Sequence, residues 1–312
     1  MGLLNAFSSI FSIIIMIAIG YFLTKIEWMD KKGAQLFSKL VVNISLPALM
    51  INNLMSNFDK AKLLGLGKGL IVPFISIALS YLIGKLTIKF LKISPARRGT
   101  FQSMFFVSNT IFIGLPVNLA LFGDESVPYV LLYYIANTTF FWTIGVFEIG
   151  KDGTVESQNL LSKSTIKRIF SPPLMGFILA IILILLSVPL PSFLTDTCRY
   201  LGSLTTPLSM LFIGNTMYYI DLKEINFNKD IWGVLLGRFI VSPLLVVLLC
   251  MIFPLPTLMK NVFIIQAAMP VMTNTAIISR AYDADYKYAA IMITITTILS
   301  LFIIPIYKII LQ

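Results

Sequence analysis

Ten apolar runs, each near the ~20 residues that a helix needs to cross hydrocarbon, follow one another along this chain of 312 residues. They fall near 3–23, 38–57, 69–89, 100–122, 127–148, 172–190, 200–220, 231–253, 261–281 and 288–309. A soluble domain carries roughly a quarter charged residues; this chain has 12% charged and 57% hydrophobic, with a mean hydropathy of +0.90. The expectation is an all-α polytopic membrane protein of ten transmembrane helices in the cell membrane, with the lipid bilayer as its solvent. The first run has no basic segment before it, so it reads as a retained helix and not as a cleaved signal.

The net charge of +10 does not indicate a nucleic-acid partner, because the basic residues are spread between the apolar runs as topology determinants are. With the N-terminus outside, 18 of the 24 lysines and arginines fall on the inner side. Both termini are therefore expected outside (extracytoplasmic) and the polar stretch 150–171 in the cytoplasm. Histidine is absent, and the two cysteines, Cys198 and Cys250, have no metal-motif spacing. No cofactor and no metal are expected.

The stretch 150–171 leaves five helices on each side. An odd number per half turns the second half upside down relative to the first. Prolines support the pairing: Pro47 and Pro207 lie 160 residues apart, Pro116 and Pro270 lie 154 apart. The expected organisation is a 5+5 inverted repeat: 1–149, a cytoplasmic linker 150–171, and 172–312.

Pro116 and Pro270 interrupt the fourth and ninth helices. A proline inside a helix removes one hydrogen bond and frees a carbonyl; such breaks are tolerated in hydrocarbon only where protein or a wet cavity covers them. Around them stand Asn109 and Asn118, and then Gln266, Asn274 and Thr275. The segments after the prolines begin with exposed N–H groups and partial positive charge. Two such N-termini, running in opposite senses, suit an anion without a buried lysine or arginine. The seven residues Asn109, Pro116, Asn118, Gln266, Pro270, Asn274 and Thr275 are the candidate substrate site. The competing account is a pair of kinked helices with amides that glue neighbours together.

Lys85 and Arg238 lie inside the inner ends of the third and eighth helices, as candidate vestibule charges that draw an anion in; snorkelling to the interface is the alternative. Asn137, Thr138, Thr139 and Thr143 read as path lining, as sodium ligands or as packing. No acidic residue lies near a helix centre, so a carboxylate proton relay has no candidate, and no nucleophile–base pair suggests an enzyme.

Five segments in order resemble the auxin efflux carrier family, whose bacterial members include malate and related carboxylate permeases: "SLPALMINNL", "NTIFIGLPVNLALFGDE", "PLSMLFIGNTM", "QAAMPVMTNTAIISRAYDAD" and "TTILSLFIIP". The resemblance implies helices 4 and 9 crossing at the site, a scaffold from helices 1, 2, 6 and 7, a transport domain from helices 3–5 and 8–10, and often a homodimer. It carries family site positions onto Asn109 and Pro116. In the ninth helix the plant pattern puts the crossover proline where this chain has Thr275, so Pro270 and Thr275 both qualify as the break. The expected function is secondary transport of a small organic anion, a carboxylate such as malate or an auxin-like acid, by alternating access. The alternatives are a sodium-coupled symporter of the bile-acid type and a non-transporting membrane sensor.

Overall fold

A computed structural model gives the fold. It describes residues 2–60, 67–153, 170–219 and 228–311, so most of the expected linker, 154–169, lies outside the described residues. The chain is helical, and each of the ten apolar windows overlaps helix. The elements are α1 (Gly2–Lys25), α2 (Lys31–Asn57), α3 (Ile71–Leu91), α4 (Arg98–Phe106), α5 (Thr110–Phe122), α6 (Asp124–Gly150), α7 (Pro172–Leu185), α8 (Ser192–Ser203), α9 (Thr205–Tyr218), α10 (Lys229–Ile252), α11 (Thr257–Ala267), α12 (Asn274–Ala281) and α13 (Tyr286–Ile310). Among the described residues α2, α3, α6, α10 and α13 are each long and apolar enough to span a bilayer.

The surface has the polarity of a protein dissolved in lipid. Leu236, Ile240, Leu244 and Leu248 recur every four residues along one exposed face of α10, and Leu82, Leu86 and Phe90 do so on α3. The buried residues include many that water-soluble cores avoid: Gln102, Asn109, Asn118, Asn137, Asn215, Gln266 and Arg238. That distribution is the reverse of a soluble domain, and it identifies a multi-pass membrane protein.

Prolines shape the long helices without ending them. A widened turn of π type precedes each of Pro47, Pro116 and Pro243, at Val41–Ser45, Thr110–Gly114 and Gly237–Val241. The ring cannot accept the preceding carbonyl's approach and has no N–H to offer it, so the turn before it opens by one residue. This corrects the expectation for Pro116. The break in the fourth helix lies at Val107–Asn109, between α4 and α5, and Pro116 sits inside α5 behind its wide turn. In the ninth helix the break runs over 268–273 with Pro270 inside it, and Thr275 belongs to the first turn of α12.

The chain divides into two compact units. The first holds 1–69, 111–132 and 170–219, and the second holds 70–110, 133–169 and 220–312. In the first, α1 packs on α9 backbone to backbone. A Cβ on Gly20 would strike the Leu211 carbonyl, and one on Gly214 would strike the Ile17 carbonyl and come within 2.6 Å of the Tyr21 nitrogen. Asn215 locks the pair, donating to Thr24 Oγ1 at 2.9 Å and the Met29 carbonyl at 3.2 Å. The second half of α2 packs on α7 and α8, with Gly176 against Pro47 and Gly202 against Leu49. The amphipathic helix α8 had no counterpart among the expected spans; it leaves Phe193 and Tyr200 exposed.

The second unit packs α3, α4, α10 and α13 around Phe101, Phe105, Val234, Phe239, Val271 and Met292. Gly99 lets α4 touch the end of α6, since its Cβ would overlap the Glu148 carbonyl. Asp152 accepts from the Gly99 and Thr100 nitrogens, both at 2.7 Å, and so caps α4. Burial pushes the Asp152 carboxyl above its ordinary range. Arg97 binds Asp230 at 3.3 Å and Asp285 at 2.9 Å and lies over the Tyr288 ring, tying α4 to α10 and α13.

The close approach of α1 and α9 yields a stability test. Gly214→Ala must separate two backbones, whereas Gly67→Ala meets nothing within 4 Å among the described residues. Thermal unfolding in detergent should show a loss of about 1–3 kcal/mol for the former and no more than about 0.5 kcal/mol for the latter.

Candidate functional site

Two interrupted segments cross within the second unit. The chain between α4 and α5 runs extended at Val107, and the chain between α11 and α12 runs extended near Val271. They pair antiparallel at Ser108 and Val271, and the Asn109 nitrogen donates to the Pro270 carbonyl at 2.8 Å. This is the one β-bridge among the described residues. Proline supplies an acceptor there and needs no donor partner of its own.

Side chains from other helices satisfy what the crossing leaves over. The Asn137 amide on α6 meets both backbone groups of Ser108: Oδ1 accepts from its N–H at 2.9 Å and Nδ2 donates to its carbonyl at 2.9 Å. It therefore acts as a one-residue β-partner. Thr296 Oγ1 on α13 accepts from the Val271 nitrogen at 3.1 Å. Gln266 Nε2 donates to the Thr110 carbonyl at 3.3 Å. Asn109 Nδ2 donates to Thr273 Oγ1 at 2.8 Å, which links the two breaks a second time. Gln266 Oε1 and Thr275 Oγ1 are buried without a hydrogen-bond partner among the described residues.

Arg238 is the least expected member. It was read as a vestibule charge; the guanidinium is fully buried, on the wide turn of α10 that Pro243 imposes. Nε donates to the Met269 carbonyl at 3.2 Å, Nη1 to the Phe105 carbonyl at 3.2 Å and to Ser242 Oγ at 3.4 Å, and Nη2 to the Ala267 carbonyl. Phe105 is at the C-terminal end of α4, while Ala267 ends α11 and Met269 follows it. Gly237 makes the approach feasible, since a Cβ there would overlap the Phe105 ring. No carboxylate pairs with Arg238 among the described residues. Each helix C-terminus carries roughly half a negative charge, so two of them balance one guanidinium. Charge-assisted hydrogen bonds of about 1.5–3 kcal/mol each offset a desolvation cost of several kcal/mol.

The other expected residues are placed as follows. Asn109, Gln266, Pro270 and Thr275 are buried at the crossing, and Asn274 opens α12 in a half-buried position. Pro116 and Asn118 belong to α5 in the first unit, where Asn118 Nδ2 donates to the Gly114 carbonyl of its own helix at 2.7 Å. Lys85 is half-exposed and pairs with Glu148 at 2.8 Å, and Tyr81 donates to the same carboxylate at 2.8 Å. Thr139 and Thr143 bond to their own helix carbonyls, as isolated threonines in helices commonly do. Asn137 was grouped with these threonines as path lining, sodium ligation or packing; its partner 29 residues away along the chain gave no local signal.

Removing the Asn137 amide leaves two buried backbone groups unmet. Asn137→Ala should lower unfolding stability by about 2–4 kcal/mol and raise amide hydrogen exchange around Ser108. Thr139→Val, whose hydroxyl bonds only within its own helix, should change stability by less than about 0.5 kcal/mol.

Comparison with known proteins agrees with a transport architecture. The sequence profile described as membrane transport protein matches residues 5–308. An uncharacterized transporter of Methanocaldococcus jannaschii is 28% identical over 304 residues, covering 95% of each chain. A second uncharacterized transporter, from Methanothermobacter thermautotrophicus, is 24% identical over 310 residues and 97% of each chain. With a match over nearly its whole length, the chain belongs to the membrane transport protein family, the auxin efflux carrier family of transmembrane transporters.

Proposed function

We propose that the protein is a secondary transporter of a small organic anion, a carboxylate such as malate, that works by alternating access. The observation that carries this reading is the crossing of two interrupted segments, joined at Ser108–Val271 and Asn109–Pro270 and surrounded by buried amides. Broken helices near mid-membrane are where transporters bind their substrates. Asn109, Gln266, Asn274 and Thr275 supply the polar contacts in this reading. The α12 N-terminus adds donor groups and partial positive charge. Pro116 and Asn118 shape α5, which follows the first break.

The partition into two compact units, one of them containing the whole crossing, supports a mechanism in which one body moves against the other. The five-plus-five inverted repeat and the placement of both termini outside belong to this proposal. Lys85, half-exposed beside Glu148, takes the entry role in it. Arg238 is assigned to the crossing itself and not to a vestibule.

Proteoliposomes loaded with buffer and given radiolabelled malate, succinate or indole-3-acetate test the reading. Uptake or efflux of at least one of them should exceed that of empty vesicles. Asn109→Ala should cut the initial rate by about tenfold, the cost of roughly one polar contact made in the rate-limiting state. A variant that melts normally and transports at the wild-type rate would remove Asn109 from the site.

A further inference from the structure

We propose that Arg238 is a built-in cation that takes the place of a coupling ion at the crossing. Transporters with interrupted helices coordinate Na⁺ with unwound backbone carbonyls and with the C-terminal ends of half-helices. Here the carbonyls of Phe105, Ala267 and Met269 have those positions on both broken segments, and all three accept from one guanidinium. The charge is tethered, fully buried and without a carboxylate partner among the described residues. A second cation at the same carbonyls would face a fixed like charge and would find its ligands engaged.

The consequences are specific. The crossing keeps one positive charge through the whole cycle, so the neutralised C-terminal ends no longer oppose the positive N-terminal ends. An anion is then the solute that the crossing favours, and sodium is not required for the site to hold its shape. The inference rests on the transport reading for its meaning, but its structural half can be tested without any substrate.

The experiment compares the full-length protein with R238A in detergent and in proteoliposomes, using sodium chloride or choline chloride at equal ionic strength. Melting temperature and malate uptake are both read. The wild type should melt and transport identically in the two salts. R238A should melt lower, by about 5 °C or more. It should regain most of that loss with millimolar guanidinium or methylguanidinium, or with sodium in place of choline. Sodium-dependent melting or uptake in the wild type overturns the proposal. So does an R238A protein that is as stable as the wild type, or one that is destabilised but indifferent to every cation. If R238A does not fold, the wild-type salt comparison still decides. Lack of malate uptake by the wild type counts against the transport reading for this substrate and leaves the melting result to judge Arg238.

Discussion

Hydrocarbon offers no hydrogen bonds, and the architecture of the second unit follows from that fact. Once two helices are interrupted inside the membrane, every freed N–H and C=O must find a partner in the protein. The two breaks answer part of the need by pairing with each other through Asn109 and Pro270. Asn137, Thr296, Gln266 and Arg238 answer more of it. Polar residues in these helices are therefore structural prerequisites of the breaks. The same groups that repair the backbone give the crossing its chemistry.

Prolines explain why the location of the breaks was only half legible. Pro270 lies inside its break, in a position where a missing N–H costs nothing. Pro116 lies in a helix that absorbs it through a wide turn, and the true interruption comes earlier, at Val107–Asn109, where no proline stands. A proline signals a local difficulty for the helix, and this chain meets it in three ways: it leaves the helix around Pro270, widens the turn before Pro116, and carries Pro305 inside the unbroken α13. Which one is chosen depends on whether partners exist for an extended segment. At Ser108 the partner is Asn137, which a reading of local sequence cannot supply.

The apolar windows were legible because helix length against bilayer thickness is a one-dimensional constraint. The amphipathic helix α8 was missed for the same reason: it is too short and too polar to register as a span. Arg238 was located correctly within its helix but assigned to the wrong surroundings. Its distance from the end of the apolar run suggested an entry, whereas its role depends on the wide turn Gly237–Val241 and on the contact that Gly237 allows with Phe105. Such facts are three-dimensional, and residue order carries no trace of them.

Electrostatic balance makes the choice of arginine intelligible. The C-terminal ends of α4 and α11 converge, and two partial charges of about −0.5 need compensation in a medium that cannot solvate them. A free cation would meet this need only while bound. Lysine would place a single point charge there, whereas the planar fork of arginine presents several donors in directions fixed by its geometry. Four acceptors on three segments are reached by one side chain in this way. Among the described residues no carboxylate pairs with Arg238, which fits the same balance: a carboxylate there would compete for the guanidinium and leave the two C-terminal ends uncompensated.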